Sequence, residues 1–302
     1  MSSSKLKYQP PSGSRLQPLR LILRLALVVA AVVLFSYSVI HIAYHDITPK
    51  VYYPPDPVRL TSGGGAKTVA AIVETRTGTN LLPIILHFSG VLGPNWPIHV
   101  FKGPDNTALF HSSAAVRRLM ASGGIVLHDL PTGTAIKTHD DVTALFTSKW
   151  LYQSLAPAQH VLFFQTDSIL CANSEHRVED FLKFPLIGAP IIPRYGSGYN
   201  GGLSLRHIPS VLRTLEQFPW AQHPIIEDQY FAINMAKLDG IKLPTTEEAM
   251  LFSVETHWYD RPMGYHQAQR WNKDRMPEIV KWCPEVLLTE EGALYKNLPS
   301  AF

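Results

Sequence analysis

The chain has 302 residues, of which 46% are hydrophobic and 17% are charged, and its formal net charge is +3. This composition is typical of a folded protein and excludes a chain kept disordered by charge repulsion. Residues 1–24 carry five basic side chains and no acidic one, so the remainder lacks a basic face for nucleic acid. Two cysteines, Cys171 and Cys283, exclude a disulfide scaffold and a multi-cysteine zinc site, and leave open whether they pair.

The first long apolar segment covers residues 25–44, which are 20 residues without a formal charge. A helix of this length spans about 30 Å, the thickness of the hydrocarbon core of a bilayer. Basic residues precede the segment, which predicts a cytoplasmic tail at 1–24 and a type II signal anchor at 25–44. A cleaved signal peptide and a buried helix are the alternatives; the long tail, the absence of an A-x-A site and the lack of a polar face disfavour them.

The segment after the predicted anchor, residues 45–66, contains four prolines and a run of three glycines. Proline fixes φ and glycine adds freedom, so this composition predicts a stem rather than a packed element. Residues 67–296 are then one domain of ordinary size, followed by a C-terminal tail at 297–302.

The domain alternates short apolar runs with segments of helical periodicity. The predicted helices are Asn80–Leu92, Ala108–Met120, Asp140–Ser154 and a stretch from Glu227 to about Lys237. The predicted strands are Thr68–Val73, Ile98–Lys102, Ile125–Leu127, Val161–Phe164, a fifth that begins at Leu186–Ile187, a short one at Leu203–Leu205, and Leu251–Val254. This alternation predicts an α/β fold with a mixed, mainly parallel sheet flanked by helices. In such sheets ligands bind beyond the carboxyl ends of the strands.

Polar residues follow two of the predicted strands. Thr75 and Arg76 come after the first strand, and Gln165 and Asp167 come after the fourth. A single carboxylate such as Asp167 can hold Mg²⁺ or Mn²⁺ together with the phosphates of a substrate. An aspartate that closes a turn through its own side chain is the alternative.

Two further segments carry candidate groups. Four glycines between residues 196 and 202, among them Gly201 and Gly202, allow close approach of the backbone to a ligand, although an ordinary surface loop has the same composition. Glu227 and Asp228 begin a predicted helix, where acids are favoured by the helix dipole and where Asp228 could serve as a general base. His266 could supply an imidazole ligand to a metal, or be merely structural.

In this order, these sites resemble those of GT-A-fold glycosyltransferases. More closely, the run from about residue 69 to 271 resembles an uncharacterised family of GT-A-like domains. The matching motifs are VETR (73–76), LFFQTDSILC (162–171), LIGAP (186–190), YNGGLSLR (199–206), EDQYF (227–231), FSVET (252–256) and GYH (264–266).

The resemblance assigns a role to each candidate residue. Asp167 corresponds to the second acid of the D-x-D motif, which binds a divalent cation, Mn²⁺ or Mg²⁺, on the donor diphosphate. Gln165 replaces the first acid and contributes no charge, and His266 corresponds to the histidine that completes the metal site. Thr75 and Arg76 are assigned to donor binding. The two neighbouring glycines, Gly201 and Gly202, correspond to the loop beside the donor sugar.

The acidic pair completes the implied mechanism. Glu227 and Asp228 correspond to the acids of inverting members, in which the second acid deprotonates the acceptor hydroxyl. The chain is therefore expected to be a Golgi-type, membrane-anchored glycosyltransferase with its catalytic domain in the lumen. The resemblance implies a nucleotide-sugar donor, in the first place a UDP-sugar, and a glycan, protein or lipid acceptor. A catalytically inactive relative that binds a nucleotide or a glycan is the alternative, which Gln165 favours, and a membrane-tethered interaction protein is a second.

Overall fold

The computed structural model describes residues 67–78, 80–134, 136–222 and 225–289. The predicted tail, anchor and stem at 1–24, 25–44 and 45–66 lie outside these ranges, as do residues 297–302. Within the described ranges no helix is both long enough and apolar enough to cross a bilayer.

A six-stranded sheet forms the centre of the fold. Its strands are β1 (Thr68–Glu74), β2 (Ile98–Lys102), β3 (Ile125–Asp129), β4 (His160–Phe164), β6 (Leu186–Pro190) and β7 (Tyr199–His207). They lie in the order β3-β2-β1-β4-β7-β6. Strands β3, β2, β1 and β4 pair in parallel, whereas β7 runs antiparallel to both β4 and β6. The predicted mixed, mainly parallel sheet is therefore confirmed.

Helices flank the sheet, and the first of them shows the apolar stripe that packs against it. In the first of them the buried residues are Leu81, Ile84, Ile85 and Phe88, which recur at the three- and four-residue spacing of a helix face. The helices are α1 (Leu81–Leu92), α2 (Thr107–Ser112), α3 (Ala114–Ala121), α4 (His139–Phe146), α5 (Lys149–Gln153), α6 (Ile208–Gln217), α7 (Glu227–Met235), α8 (Thr246–Phe252), α9 (Ala268–Trp271) and α10 (Met276–Trp282).

Two predicted helices are each broken into two. The segment 108–120 breaks at Ser113, whose side chain accepts the Val116 N–H at 3.3 Å and so caps the second helix. The segment 140–154 breaks at Thr147 and Ser148, whose hydroxyls donate to carbonyls of the preceding turn, at 2.7 Å each. Such local bonds compete with the continuation of a helix.

The predictions for the glycine-rich segment and for residues 251–254 were also wrong in part. Gly201 and Gly202 lie inside β7, not in a loop before it. Residues 251 and 252 belong to α8, because Thr245 and Glu248 form a capping box that starts this helix. Only Ser253–Val254 remains as a strand, β8.

A small second sheet of three strands carries two of the predicted site segments at its ends, with its strands in the order β5-β9-β8. It consists of β5 (Ser168–Leu170), β8 and β9 (Gly264–His266), and the register of β5 and β9 places Ser168 opposite His266. Cys171, directly after β5, forms a disulfide with Cys283 across a Cα–Cα distance of 4.9 Å. The pairing that the sequence left open therefore ties the end of β5 to the C-terminal helices.

Candidate active site

A pocket of 620 Å³ opens at the rim where β1, β4 and β7 meet the second sheet. Eight of the nine predicted site residues line it: Thr75, Arg76, Gln165, Asp167, Gly202, Glu227, Asp228 and His266. The ninth, Gly201, lines a small adjoining cavity together with Gln165. The structure thus brings together residues that are up to 191 positions apart in the sequence.

At the end of β1, Glu74 organises the chain that leaves the strand. Its Oε1 accepts the backbone N–H and the Nε–H of Arg76, at 2.8 and 3.0 Å, and its Oε2 accepts Nη2–H at 2.8 Å. Asn106 donates to the Glu74 carbonyl at 2.7 Å. Thr75 lies between these two anchored residues on the wall of the pocket, and Arg76 remains 67% exposed at its mouth.

The turn after β4 carries Gln165 and Asp167. The Ser168 hydroxyl lies 2.8 Å from both the backbone N and O of Gln165, so a serine closes this turn. The carboxylate of Asp167 accepts a hydrogen bond from Gln267 Nε2 at 2.9 Å. Burial would raise the pKa of Asp167, but its contacts with His266 and Gln267 lower it below the usual range.

His266 lies buried between two carboxylates. Its Nε2 is 3.4 Å from Asp167 Oδ1, and its Nδ1 is 3.3 Å from Glu255 Oε1. Burial alone would lower the pKa of His266, but Asp167 and Glu255 outweigh it and raise the pKa to about 10. A Cβ atom at Gly202 would overlap the His266 ring, so only glycine lets β7 approach it this closely.

Glu255 was missing from the predicted site residues. Its Oε1 accepts hydrogen bonds from Trp271 Nε1 at 3.0 Å and from Asn200 Nδ2 at 3.3 Å, so the carboxylate is held in place facing His266. The sequence contained a signal for it. Glu255 follows directly on the strand at Ser253–Val254, and the rule that drew attention to Asp167 applies equally there.

Asp167 and His266 are the two residues that the sequence predicts to hold a divalent cation. Asp167 Oδ1 and His266 Nε2 are buried and lie 3.4 Å apart, at ion-pair distance. The other ring nitrogen of His266 faces the carboxylate of Glu255, and a carboxylate is the usual partner of a metal-bound imidazole. Among the described residues, no group of three or more His, Cys, Asp or Glu side chains has metal-binding geometry.

Asp228 faces the pocket from the first turn of α7. Its Oδ1 accepts the Gly201 N–H at 2.9 Å. A Cβ at Gly201 would overlap the carboxylates of both Glu227 and Asp228, which explains the glycine at this position. Burial and the adjacent Glu227 raise the pKa of Asp228 well above its usual range. A carboxylate of raised pKa is a stronger base than an ordinary aspartate.

Glu227 forms an ion pair with a buried arginine, Arg206, beneath the pocket. Arg206 Nη1 lies 3.0 Å from Glu227 Oε2, and Nη2 donates to Oε1 at 3.2 Å. The same guanidinium donates to the hydroxyls of Tyr152 and Ser204, at 3.0 and 3.1 Å. This arrangement gives Glu227 a positioning role at the start of α7, next to Asp228.

Residues 124–266, slightly less than half of the chain, match the family model DUF5672, described as a protein of unknown function. The match starts just before β3 and ends at His266, so it includes the residues predicted at Gln165, Asp167, Gly201, Gly202, Glu227 and Asp228. No curated protein matches the chain in sequence.

The chain is similar to several solved structures at low sequence identity. The apo form of the glycosyltransferase GlyE of Streptococcus pneumoniae TIGR4 is 12% identical over 67% of this chain and 54% of that one, with a TM-score of 0.42. A second structure of GlyE from the same organism is 13% identical over 60% of this chain and 45% of that one, with a TM-score of 0.39. A glycosyltransferase involved in the glycosylation of the major capsid of PBCV-1 is 11% identical over 69% of this chain and 98% of that one, with a TM-score of 0.41. The chain thus spans about half the length of the two GlyE chains.

Proposed function

We propose that this protein is a glycosyltransferase that moves a sugar from a nucleotide-sugar donor to an acceptor hydroxyl with inversion at the anomeric carbon. The observation that carries the proposal is the convergence of Asp167, His266, Gly202 and Asp228 on one pocket. The motif resemblance predicts these residues separately, and they come from three different elements of the fold and from the turn after β4.

The proposed reaction assigns one step to each of these groups. The acceptor oxygen attacks the anomeric carbon as the bond from that carbon to the donor phosphate breaks, and the nucleoside diphosphate leaves with the bonding electrons. Asp228, held by the Gly201 N–H, takes the proton from the attacking hydroxyl. The proposal places the diphosphate on the side of the sugar opposite Asp228, so attack from the Asp228 side would invert the configuration. Holding both substrates in this geometry supplies much of the acceleration.

Asp167 and His266 would hold the donor diphosphate through Mn²⁺ or Mg²⁺, with phosphate and water completing the coordination. His266 would have to release the proton that Asp167 and Glu255 favour on its ring, because only a neutral imidazole binds a metal. When bound, such an ion neutralises negative charge on the leaving group. Glu255 orients the His266 ring for this role, and it is fixed in turn by Trp271 and Asn200. Gln165 adds a neutral amide at the same edge, so the protein contributes one carboxylate where the D-x-D motif contributes two.

The compartment is part of the proposal. The predicted anchor at 25–44 would place the described residues on the luminal side of the Golgi membrane. The disulfide between Cys171 and Cys283 supports this placement, because disulfides persist in oxidising compartments and are rare in the cytosol.

The test combines binding and turnover on the full-length protein in detergent. A panel of nucleotide sugars is screened for thermal stabilisation with Mn²⁺, and the best donor is assayed for release of nucleoside diphosphate with the wild type and with Asp228→Asn. We expect the variant to bind the donor within about threefold of the wild type and to lose 10²–10⁴-fold in turnover, the usual contribution of a general base. Full turnover in Asp228→Asn would remove Asp228 from the catalytic role.

A nucleotide-binding protein without transferase activity is the second candidate, and the neutral Gln165 favours it. It predicts donor binding with no release of nucleoside diphosphate by the wild type. Absence of any nucleotide-dependent stabilisation would contradict both candidates.

A further inference from the structure

The sheet order arranges the pocket along a line. Thr75 and Arg76 follow β1, Gln165 and Asp167 follow the adjacent β4, and Gly201 and Gly202 lie in β7, the next strand. Neighbouring strands lie about 4.8 Å apart, so the rim extends about 10 Å from β1 to β7. Under the proposed function, the nucleoside end of the donor lies at β1, its diphosphate at β4 and the reacting carbon at β7. The acceptor must then approach from beyond β7.

The connection from β6 to β7, residues 191–198, lies on that side. It packs against α7, the helix that carries Asp228. A Cβ at Gly196 would overlap the side chain of Gln229, and one at Gly198 would overlap the Ala232 side chain. This close packing fixes the connection next to the proposed base.

Tyr195, on this connection, is a large aromatic residue that is 47% exposed. Its ring centroid is 4.9 Å from that of Trp271, at an interplanar angle of 59°, and both residues line the pocket. The Trp271 indole is fixed by its hydrogen bond to Glu255. The guanidinium of Arg270 lies 4.9 Å from the Trp271 ring and that of Arg194 lies 5.7 Å from the Tyr195 ring.

We propose that Tyr195 and Trp271 form the acceptor subsite and that the acceptor is a saccharide whose pyranose ring packs on Tyr195. This assignment rests on the proposed function and specifies its acceptor class. A pyranose has a face of C–H groups and a rim of hydroxyls. An exposed aromatic ring offers the apolar contact, and the neighbouring guanidinium groups offer hydrogen-bond donors. A lipid acceptor would call for a continuous apolar groove, whereas arginines flank these two rings.

The chief competitor for the same rings is the nucleobase of the donor, because bases also stack on aromatic side chains. The order along the rim argues against it. Glu255 separates Trp271 from His266, and the diphosphate site at Asp167 separates both from Thr75 and Arg76. A nucleobase at Tyr195 would require the donor to bind in the opposite orientation, with its nucleoside end away from β1.

The experiment applies full-length protein to an array of immobilised oligosaccharides with terminal galactose, glucose, mannose, N-acetylglucosamine or N-acetylgalactosamine. UDP affinity is measured in parallel by calorimetry. We expect at least one terminal sugar to be bound, Tyr195→Ala to weaken this binding by about tenfold or more, and the matched control Tyr195→Phe to stay within about threefold. UDP affinity is expected to be the same in all three proteins.

The outcomes separate the subsite from the function it rests on. The subsite is overturned if no saccharide is bound by a protein that binds UDP, if Tyr195→Ala binds saccharide like the wild type, or if Tyr195→Ala loses UDP affinity instead. Saccharide binding that depends on Tyr195, in a protein that releases no nucleoside diphosphate from any donor, would retain the subsite and refute the transferase.

Discussion

Two buried charged clusters lie close to Asp228, and they differ in how the cation of each is held. In the Arg206 cluster (Arg206, Glu227, Tyr152 and Ser204), the guanidinium has a partner on each of its three nitrogens. It also lies 5.2–5.3 Å from the rings of Phe146, Phe163 and Phe231. In the His266 cluster (Asp167, His266 and Glu255), the two imidazole nitrogens lie 3.4 and 3.3 Å from carboxylate oxygens, at ion-pair distance, and make no hydrogen bond among the described residues.

This difference separates a structural role from a binding role. Every nitrogen of Arg206 is hydrogen-bonded, and its pairing with Glu227 holds the start of α7 against β7. The His266 cluster lines the pocket, and the proposal assigns it to ligand binding. The first two substitutions below each test one side of this contrast.

The largest effect is expected from Arg206→Ala. Removing the cation leaves Glu227 as a buried, unpaired charge, which costs about 3–5 kcal/mol of unfolding free energy. Thermal unfolding of the full-length protein should shift down by about 10 °C. The exposed Arg213, which bonds only the Asp239 carbonyl in the described ranges, provides the control, and Arg213→Ala should shift the midpoint by a few degrees at most. Equal midpoints for the two variants would show that the Arg206 cluster does not support the fold.

Glu255→Gln tests the binding role assigned to the His266 cluster. A glutamine keeps the shape of the side chain but removes the charge that orients His266, and such second partners usually change metal affinity by about 10–100-fold. Calorimetric titration of Mn²⁺ in the presence of UDP should show this loss without a comparable loss of thermal stability. The exposed Glu216 supplies the control variant Glu216→Gln. An unchanged Mn²⁺ affinity in Glu255→Gln would mean that Glu255 acts on the fold alone.

The smallest effect is expected at a third, peripheral pair. His99 Nδ1 lies 2.8 Å from His128 Nε2, and burial together with His128 lowers the pKa of His99 to about 4. Because this pKa is below the unfolded value of 6.5, the contribution to stability is complete above pH 6.5 and is lost as the pH falls toward 4. Thermal midpoints measured from pH 7 to pH 4 should fall less steeply in His99→Gln. Parallel curves for variant and wild type would assign the acid sensitivity to other groups.

The sequence predicted the sheet well and the connections less well. Runs such as Ile98–Lys102 are bounded by turns and buried at every position except His99, so their limits coincide with the prediction. The breaks at Ser113 and Thr147 depend on single side-chain hydrogen bonds that periodicity does not reveal. The error at Gly201 and Gly202 has a different cause: close packing against carboxylates and an imidazole calls for glycine within a strand, and composition alone cannot distinguish this from a loop.

For the site, strand ends and motif order pointed to residues that the structure gathers into one pocket. The partners of those residues could not be predicted in the same way. Arg206 and Glu255 act through contacts between distant segments, and only the strand-end position of Glu255 gave a signal. The roles assigned to the pocket residues stay predictions until they are measured.

The most direct test of the central claim is a calorimetric titration of UDP into wild type and Asp167→Asn, each with Mn²⁺ and with EDTA. If Asp167 and His266 hold the donor diphosphate through a divalent cation, Mn²⁺ should strengthen binding to the wild type by tenfold or more. Asp167→Asn should bind equally weakly in both conditions, while the exposed control Asp105→Asn should behave like the wild type. Equal UDP affinity of Asp167→Asn and wild type in Mn²⁺ would contradict the claim.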